Sequence, residues 1–136
     1  MSDKSRLYTV SELASELAIT PRAIRHYENE KLLSPRRVGN NRVFDYRDMG
    51  RLKFILKFKA LGFMLKEIKE YLDLYDVDET RVTQLKNGYR RICDRMVGLD
   101  DQIKKMQSTL DELMNLKQEV ISKLEERGVD ADKPVL

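Results

Sequence analysis

"TPRAIRHYENEKLL", residues 20–33, decides how the rest of the chain is read. Thr20 is a good helix N-cap, because its hydroxyl can accept from an otherwise orphaned backbone N–H. Pro21 suits the first helical position, where no N–H is needed. Ala23, Ile24 and Tyr27 fall on one face of the predicted helix. Arg22, Arg25, His26 and Asn29 recur at spacings of three, four and seven on the other. Such a helix offers one side to a core and the other to water or a ligand.

Upstream, "YTVSELASELAI" at 8–19 places Val10, Leu13, Ala14 and Leu17 at helical spacing, with Thr9 or Ser11 as the cap and Glu12 in the first turn. Two short helices joined by a tight link at Ala18-Ile19 make a helix-turn-helix, whose second helix enters the major groove of DNA. Downstream, Pro35 bars helix continuation and "VGNN" at 38–41 is turn chemistry, so residues 36–44 read as a small β-hairpin, a wing. It carries Arg36, Arg37 and Arg42. Asp45 caps a third helix, with Asp48 as its capping-box partner and Met49, Leu52, Ile55, Leu56 and Ala60 as its core stripe. Gly62 ends that helix. A fourth helix, about Leu65 to Tyr75, aligns Leu65, Ile68, Leu72 and Tyr75, and "DVDET" at 76–80 reads as a joint.

Beyond the joint the period changes. Val82, Leu85, Tyr89, Ile92, Met96, Leu99, Ile103, Met106, Leu110, Leu113, Lys117, Val120 and Leu124 alternate at steps of three and four. Twelve of these thirteen positions are apolar or aromatic over six heptads, which is a coiled-coil signal. A helix of this length spans about 60–65 Å. The chain holds no second long helix to cover the seam, so the expected partner is another copy. Gly88 and Gly98 each cost about 1 kcal/mol relative to Ala in a helix interior and mark places for a kink. Lys117 costs seam stability and can instead set register.

The 136 residues carry a net charge of +3, unevenly spread. Residues 20–60 hold 11 Lys and Arg against 4 Asp and Glu, a net +7, whereas residues 76–136 hold 11 against 13, a net −2. A basic N-terminal half suggests an anionic partner. No run of 18 apolar residues exists, so neither a transmembrane helix nor a membrane partner is expected, and "MSDKSRLYTV" lacks the apolar core of a secretory signal. Cys93, the single cysteine, excludes an intrachain disulfide and an all-cysteine metal cage within one chain. A cytoplasmic protein is expected. There is one histidine, no glycine-rich phosphate loop and no nucleophile elbow, so the sequence does not read as an enzyme.

These blocks, in this order, resemble the MerR family of transcriptional regulators over about residues 7–72. The resemblance runs through "TPRAIRHYE" at 20–28, "LLSP" at 32–35, "NRVF" at 41–44, "RLKFI" at 51–55 and "LGFMLKEI" at 61–68. It implies a mainly α-helical fold: a winged helix-turn-helix DNA-binding domain (1–75), a dimerisation helix forming an antiparallel coiled coil (76–124) and a tail (125–136). The implied function is a sequence-specific regulator that binds a near-palindromic promoter operator as a homodimer and distorts the double-stranded DNA for RNA polymerase. The rival reading is an architectural DNA-bending protein with little sequence preference.

Within that resemblance Arg22, one residue inside the recognition helix, is the candidate for a base-edge contact. Arg25 and His26 occupy positions that hold backbone phosphates, although Arg25 can equally pair with Glu28 or Glu16, and the family usually has Tyr or Phe at position 26. Tyr27 reads as core. In the wing, Arg36, Arg37 and Arg42 are candidates for phosphate or minor-groove contact, Arg42 matching the family most closely, or else they protect a strand edge. Thr9 and Ser11 can present backbone N–H groups to a phosphate or simply cap the first helix. Met64 stands where "GFSL" versions carry a capping Ser or Thr. The dimerisation contacts are expected from Leu85, Tyr89, Ile92, Met96, Leu99, Ile103, Met106, Leu110 and Leu113.

Members of the family usually respond to a signal near the dimerisation helix. Metal-sensing members carry two or more cysteines there, so neither a metal site nor a resident cofactor is expected, and Cys93 reads as a packing residue. Twelve residues follow Leu124, too few for a ligand pocket of their own, which leaves the dimer interface or the hinge near 74–82 for any small-molecule effector. "LDLYD" at 72–76 and "VTQL" at 82–85 bear a weaker resemblance to the branch governing branched-chain amino-acid and acyl-CoA breakdown, which implies an acyl-CoA-like effector. Arg90, Arg91, Arg95, Lys104 and Lys105 supply cations for such a phosphate-bearing ligand; a solvated helix face explains them better.

Overall fold

A computed structural model of the chain describes residues 4–77 and 81–132. Its elements are α1 (Val10–Leu17), α2 (Pro21–Asn29), β1 (Arg36–Val38), β2 (Asn41–Val43), α3 (Tyr46–Ala60), α4 (Leu65–Val77) and α5 (Val82–Glu126). By compactness the chain divides after Gly88, so the first unit takes in the opening turns of α5.

Local chemistry explains most element boundaries. Thr9 and Glu12 form a reciprocal capping box at the start of α1, with Thr9 Oγ1 accepting from the Glu12 N–H at 3.1 Å and the Thr9 N–H donating back at 3.2 Å. Thr20 caps α2 by accepting from the Ala23 N–H at 3.1 Å, with Pro21 at the first helical position. Helix α2 stops at Asn29, where Lys31 turns left-handed (φ +61°) and the Leu32 N–H reaches back to the Tyr27 carbonyl at 2.8 Å. Leu32 and Leu33 therefore leave the helix and plug the core instead of extending it. Met64 lacks a capping hydroxyl, but its N–H is taken by Glu67 Oε1 at 3.1 Å, the return half of a capping box.

The wing is an antiparallel pair, with Arg36 opposite Val43, Arg37 opposite Arg42 and Val38 opposite Asn41. Its two-residue turn places Gly39 at φ +63°, the left-handed first position that a type II′ hairpin requires. Phe44, fully buried, then exchanges backbone hydrogen bonds with Tyr8 at 2.7 and 2.9 Å. Tyr8 is therefore not part of the first helix; it ties the N-terminal segment to the wing.

One core joins these pieces: Leu13, Ile24, Tyr27, Phe44, Leu52 and Ile55, with Ile68 and Leu72 from α4. Ala60, expected in the α3 stripe, is exposed, because α3 is in its last turn there and the core lies behind it. Helix α5 runs without interruption through Gly88 and Gly98, so neither glycine breaks it. Its heptad positions from Val82 to Leu113 are exposed in the single chain. Residues 78–80 of the expected joint, and the side chain of Tyr75, lie outside the described residues.

Asp45 and Asp48 cap α3 reciprocally. Burial pushes the Asp48 carboxyl up to about 6, with the Asp45 charge adding to the effect and the Asp45 N–H and Arg51 opposing it. The Asp45 carboxyl goes the other way: burial raises it, but amide donation from Asp48 and Arg47 and the nearby Arg36 leave it below its ordinary value. For Asp48 the folded value exceeds the ordinary 3.8, so its contribution to stability is complete below that value and is lost as pH rises through about 6. Asp48→Asn keeps an acceptor for the Asp45 N–H without the charge. Urea unfolding at fixed protein concentration should show a flatter stability profile between about pH 4 and 6 for this variant than for wild type; identical profiles would contradict the assignment. At Gly98 an added Cβ would meet nothing within 4 Å. Gly98→Ala should accordingly raise stability by up to about 1 kcal/mol in the same assay.

Candidate nucleic-acid interface

Helix α2 has the two faces its sequence suggests. Ile24 is completely buried and Tyr27 nearly so, the Tyr27 hydroxyl accepting from Lys59 Nζ at 3.4 Å. Opposite them Arg22, Arg25, His26 and Asn29 are exposed. Among the described residues, the side chains of Arg22, Arg25 and Asn29 have no hydrogen-bond or ion-pair partner, and the His26 ring lies tilted against that of Tyr27 at 5.9 Å between centroids. Both acids that could have held Arg25 are engaged elsewhere: Glu16 by Arg6 and Glu28 by Arg42.

The wing arginines do not form one patch. Adjacent strand residues point to opposite faces, so Arg36 is separated from Arg37 and Arg42. Arg42 Nε donates to Glu28 Oε1 at 3.1 Å, with Oε2 at 2.9 Å, and both side chains are largely covered. Arg42 thus serves as a brace between wing and recognition helix, a role that its position in the sequence does not suggest. The brace also neutralises the acid on the helix that carries Arg22 and Arg25, and it relieves the like-charge pairing of Arg37 with Arg42 across the strands. Arg36, on the other face, lies close enough to Asp45 to depress its carboxyl. Arg37 remains exposed on the Arg42 side.

At the start of α1, Thr9 is consumed by its capping box, while Ser11 is exposed one position inside the helix. Arg51, which no sequence spacing singles out, holds the geometry: its Nε donates to the Leu32 carbonyl at 2.7 Å, and it lies 3.7 Å from Asp73. It fastens the segment after α2 to α3 and α4. On α5, Lys104 and Lys105 pair with Asp100 and Asp101 one turn back, which makes them part of a self-paired solvated face. No group of three His, Cys, Asp or Glu able to hold a metal occurs among the described residues.

A winged helix-turn-helix with an outward cationic stripe on its second helix defines a DNA-binding protein. Residues 8–74 match the family model described as MerR HTH family regulatory protein, and residues 49–116 match that described as MerR, DNA binding. The HTH-type transcriptional regulator ZntR of Escherichia coli K12 is 31% identical over 112 residues, covering 81% of this chain and 78% of that protein. The lead(II)-bound transcription regulator PbrR691 from Ralstonia metallidurans CH34 superimposes with a TM-score of 0.68 at 25% identity, over 82% of this chain and 86% of that one. HiNmlR, a MerR regulator lacking the sensor domain and solved on promoter DNA, shares the fold with a TM-score of 0.61 at 22% identity, over 95% and 98%. The chain belongs to the MerR family of helix-turn-helix transcriptional regulators. Nothing in these likenesses singles out the acyl-CoA branch.

The brace yields a direct test. Arg42→Ala leaves the Glu28 carboxylate half-buried without its cation and should cost on the order of 1–2 kcal/mol of stability. Combining it with Glu28→Gln should recover much of that loss, giving a coupling of about 1 kcal/mol in a double-mutant cycle of urea unfolding. A coupling near zero would make Arg42 a simple surface cation.

Proposed function

We propose that this chain is a promoter-binding regulator that acts as a homodimer, each copy laying α2 in a major groove. The observation that carries the proposal is the division of α2 itself. Ile24 and Tyr27 are fixed in the core, so the exposed Arg22, Arg25 and His26 are presented together on a rigid element. Arg22, nearest the helix start, reads a guanine edge; Arg25 and His26 grip phosphates on either side. From the wing Arg37 and Arg36 reach the backbone, and Ser11 at the start of α1 adds an amide contact. The exposed seam of α5, including Leu85, Tyr89, Ile92, Met96 and Leu99, supports pairing with a second copy in an antiparallel coiled coil. Two reading heads on one dimer imply a near-palindromic site. Bending and untwisting of such a site, so that RNA polymerase engages both promoter elements, is the activity this arrangement serves.

The roles separate experimentally. Arg22→Ala should lower the ratio of specific to non-specific affinity, each lost base contact being worth about 1–3 kcal/mol of discrimination. Arg25→Ala should weaken binding to all sequences alike and reduce the salt slope by about one unit. Fluorescence-anisotropy titrations against selected and scrambled duplexes at several salt concentrations distinguish the two. Equal loss of specificity in both variants contradicts the division of labour. A wild-type protein with hardly any preference for the selected duplex is instead an architectural DNA-bending protein.

A further inference from the structure

The first two turns of α5 are built into the DNA-binding unit by contacts that a surface helix does not need. Gln84, a polar residue in a helix, is buried, and its Nε2 donates to the Tyr71 main-chain carbonyl at 2.9 Å. One turn on, Gly88 faces the Tyr71 ring so closely that a Cβ there would sit 2.6 Å from Cε2 and 3.4 Å from Cδ2 and Cζ. One face of the ring is already occupied. Phe54 of α3 stacks parallel to it at 5.2 Å, and Phe58 stacks on Phe54 at 4.2 Å. A line of aromatic rings therefore runs through α3 and α4 and ends against the only α5 residue without a side chain in that stretch. Gly98, in the same helix, has open space around it.

We propose that Gly88 and Gln84 are positioning residues: by seating α5 on Tyr71 they fix the direction in which that helix leaves α4, and thereby select the half-site spacing a dimer accepts. The inference rests on the homodimer reading above. Two linked heads bind a bipartite site with high affinity only when their separation and rotational phase match it, and this gain disappears when both cannot engage at once. A change of helix direction at residue 88 is carried along the whole of α5 to the other head. A side chain at 88 changes that direction because it meets the Tyr71 ring, which Phe54 already backs.

The test compares full-length wild type, Gly88→Ala, Gly98→Ala and the double variant Tyr71→Leu/Gly88→Ala. Each is measured by sedimentation equilibrium and by titration against duplexes carrying the selected half-sites at spacings from about two base pairs shorter to two longer. Dimers are expected throughout, with wild-type spacing preference for Gly98→Ala. Gly88→Ala should lose about tenfold or more on the selected spacing and shift or flatten its optimum. Tyr71→Leu, which removes the obstructing ring atoms, should restore most of that loss. Unchanged spacing preference in Gly88→Ala, or a loss that Tyr71→Leu does not relieve, overturns the inference. Should Gly88→Ala not fold, Gln84→Ala, which adds no volume, decides: a broadened preference supports the inference and an unchanged one overturns it. A monomeric wild type overturns the homodimer reading itself, whereas a dimeric wild type indifferent to spacing overturns the inference.

Discussion

Burial of Ile24 and Tyr27 is the constraint on which the interface depends. A nine-residue helix has little stability of its own in water, and α2 holds its shape because these two side chains are locked among Leu13, Phe44, Leu52 and Ile55. Once they are fixed, helix geometry sets the face from which Arg22, Arg25 and His26 emerge. The outward-facing stripe is thus a consequence of core packing. Exposed to water, Arg22 and Arg25 need no partner within the fold.

Electrostatics adds a second layer. Glu28 sits on the same short helix and would repel a phosphate backbone if left open. Arg42 neutralises it and, in doing so, joins the wing to the reading helix. Arg51 does the corresponding work behind the helix by holding the Leu32 carbonyl. Three arginines that look alike in sequence thus differ in role: Arg25 is available to a ligand, while Arg42 and Arg51 keep the surface that displays it in place.

Much of this is legible in the sequence, for identifiable reasons. Thr20-Pro21 and Asp45 with Asp48 act locally, so their caps can be read from spacing alone. The faces of α2 and the long seam of α5 follow from helical period. The hairpin follows from Pro35 and Gly39. What escapes a linear reading depends on residues brought together only by the fold. Tyr8 and Phe44 form a single bridge with no periodic signature, and Glu28 and Arg42 lie fourteen residues apart. Gln84 looks like an ordinary polar helix residue in sequence, and Gly88 looks like a weak point until Tyr71 is seen against it. The separation of Arg36 from Arg37 is implicit in the sequence, since neighbouring strand residues must face opposite ways.

We propose that α2 enters the major groove in two places on one DNA. Guanine-N7 methylation interference on a duplex captured from genomic DNA by the full-length protein tests it most directly, because that atom lies only in the major groove. Two clusters of interference related by a dyad, each weakened when Arg22 is replaced by Ala, are the expected result. Interference that is absent, or that forms a single cluster indifferent to Arg22, would contradict the claim.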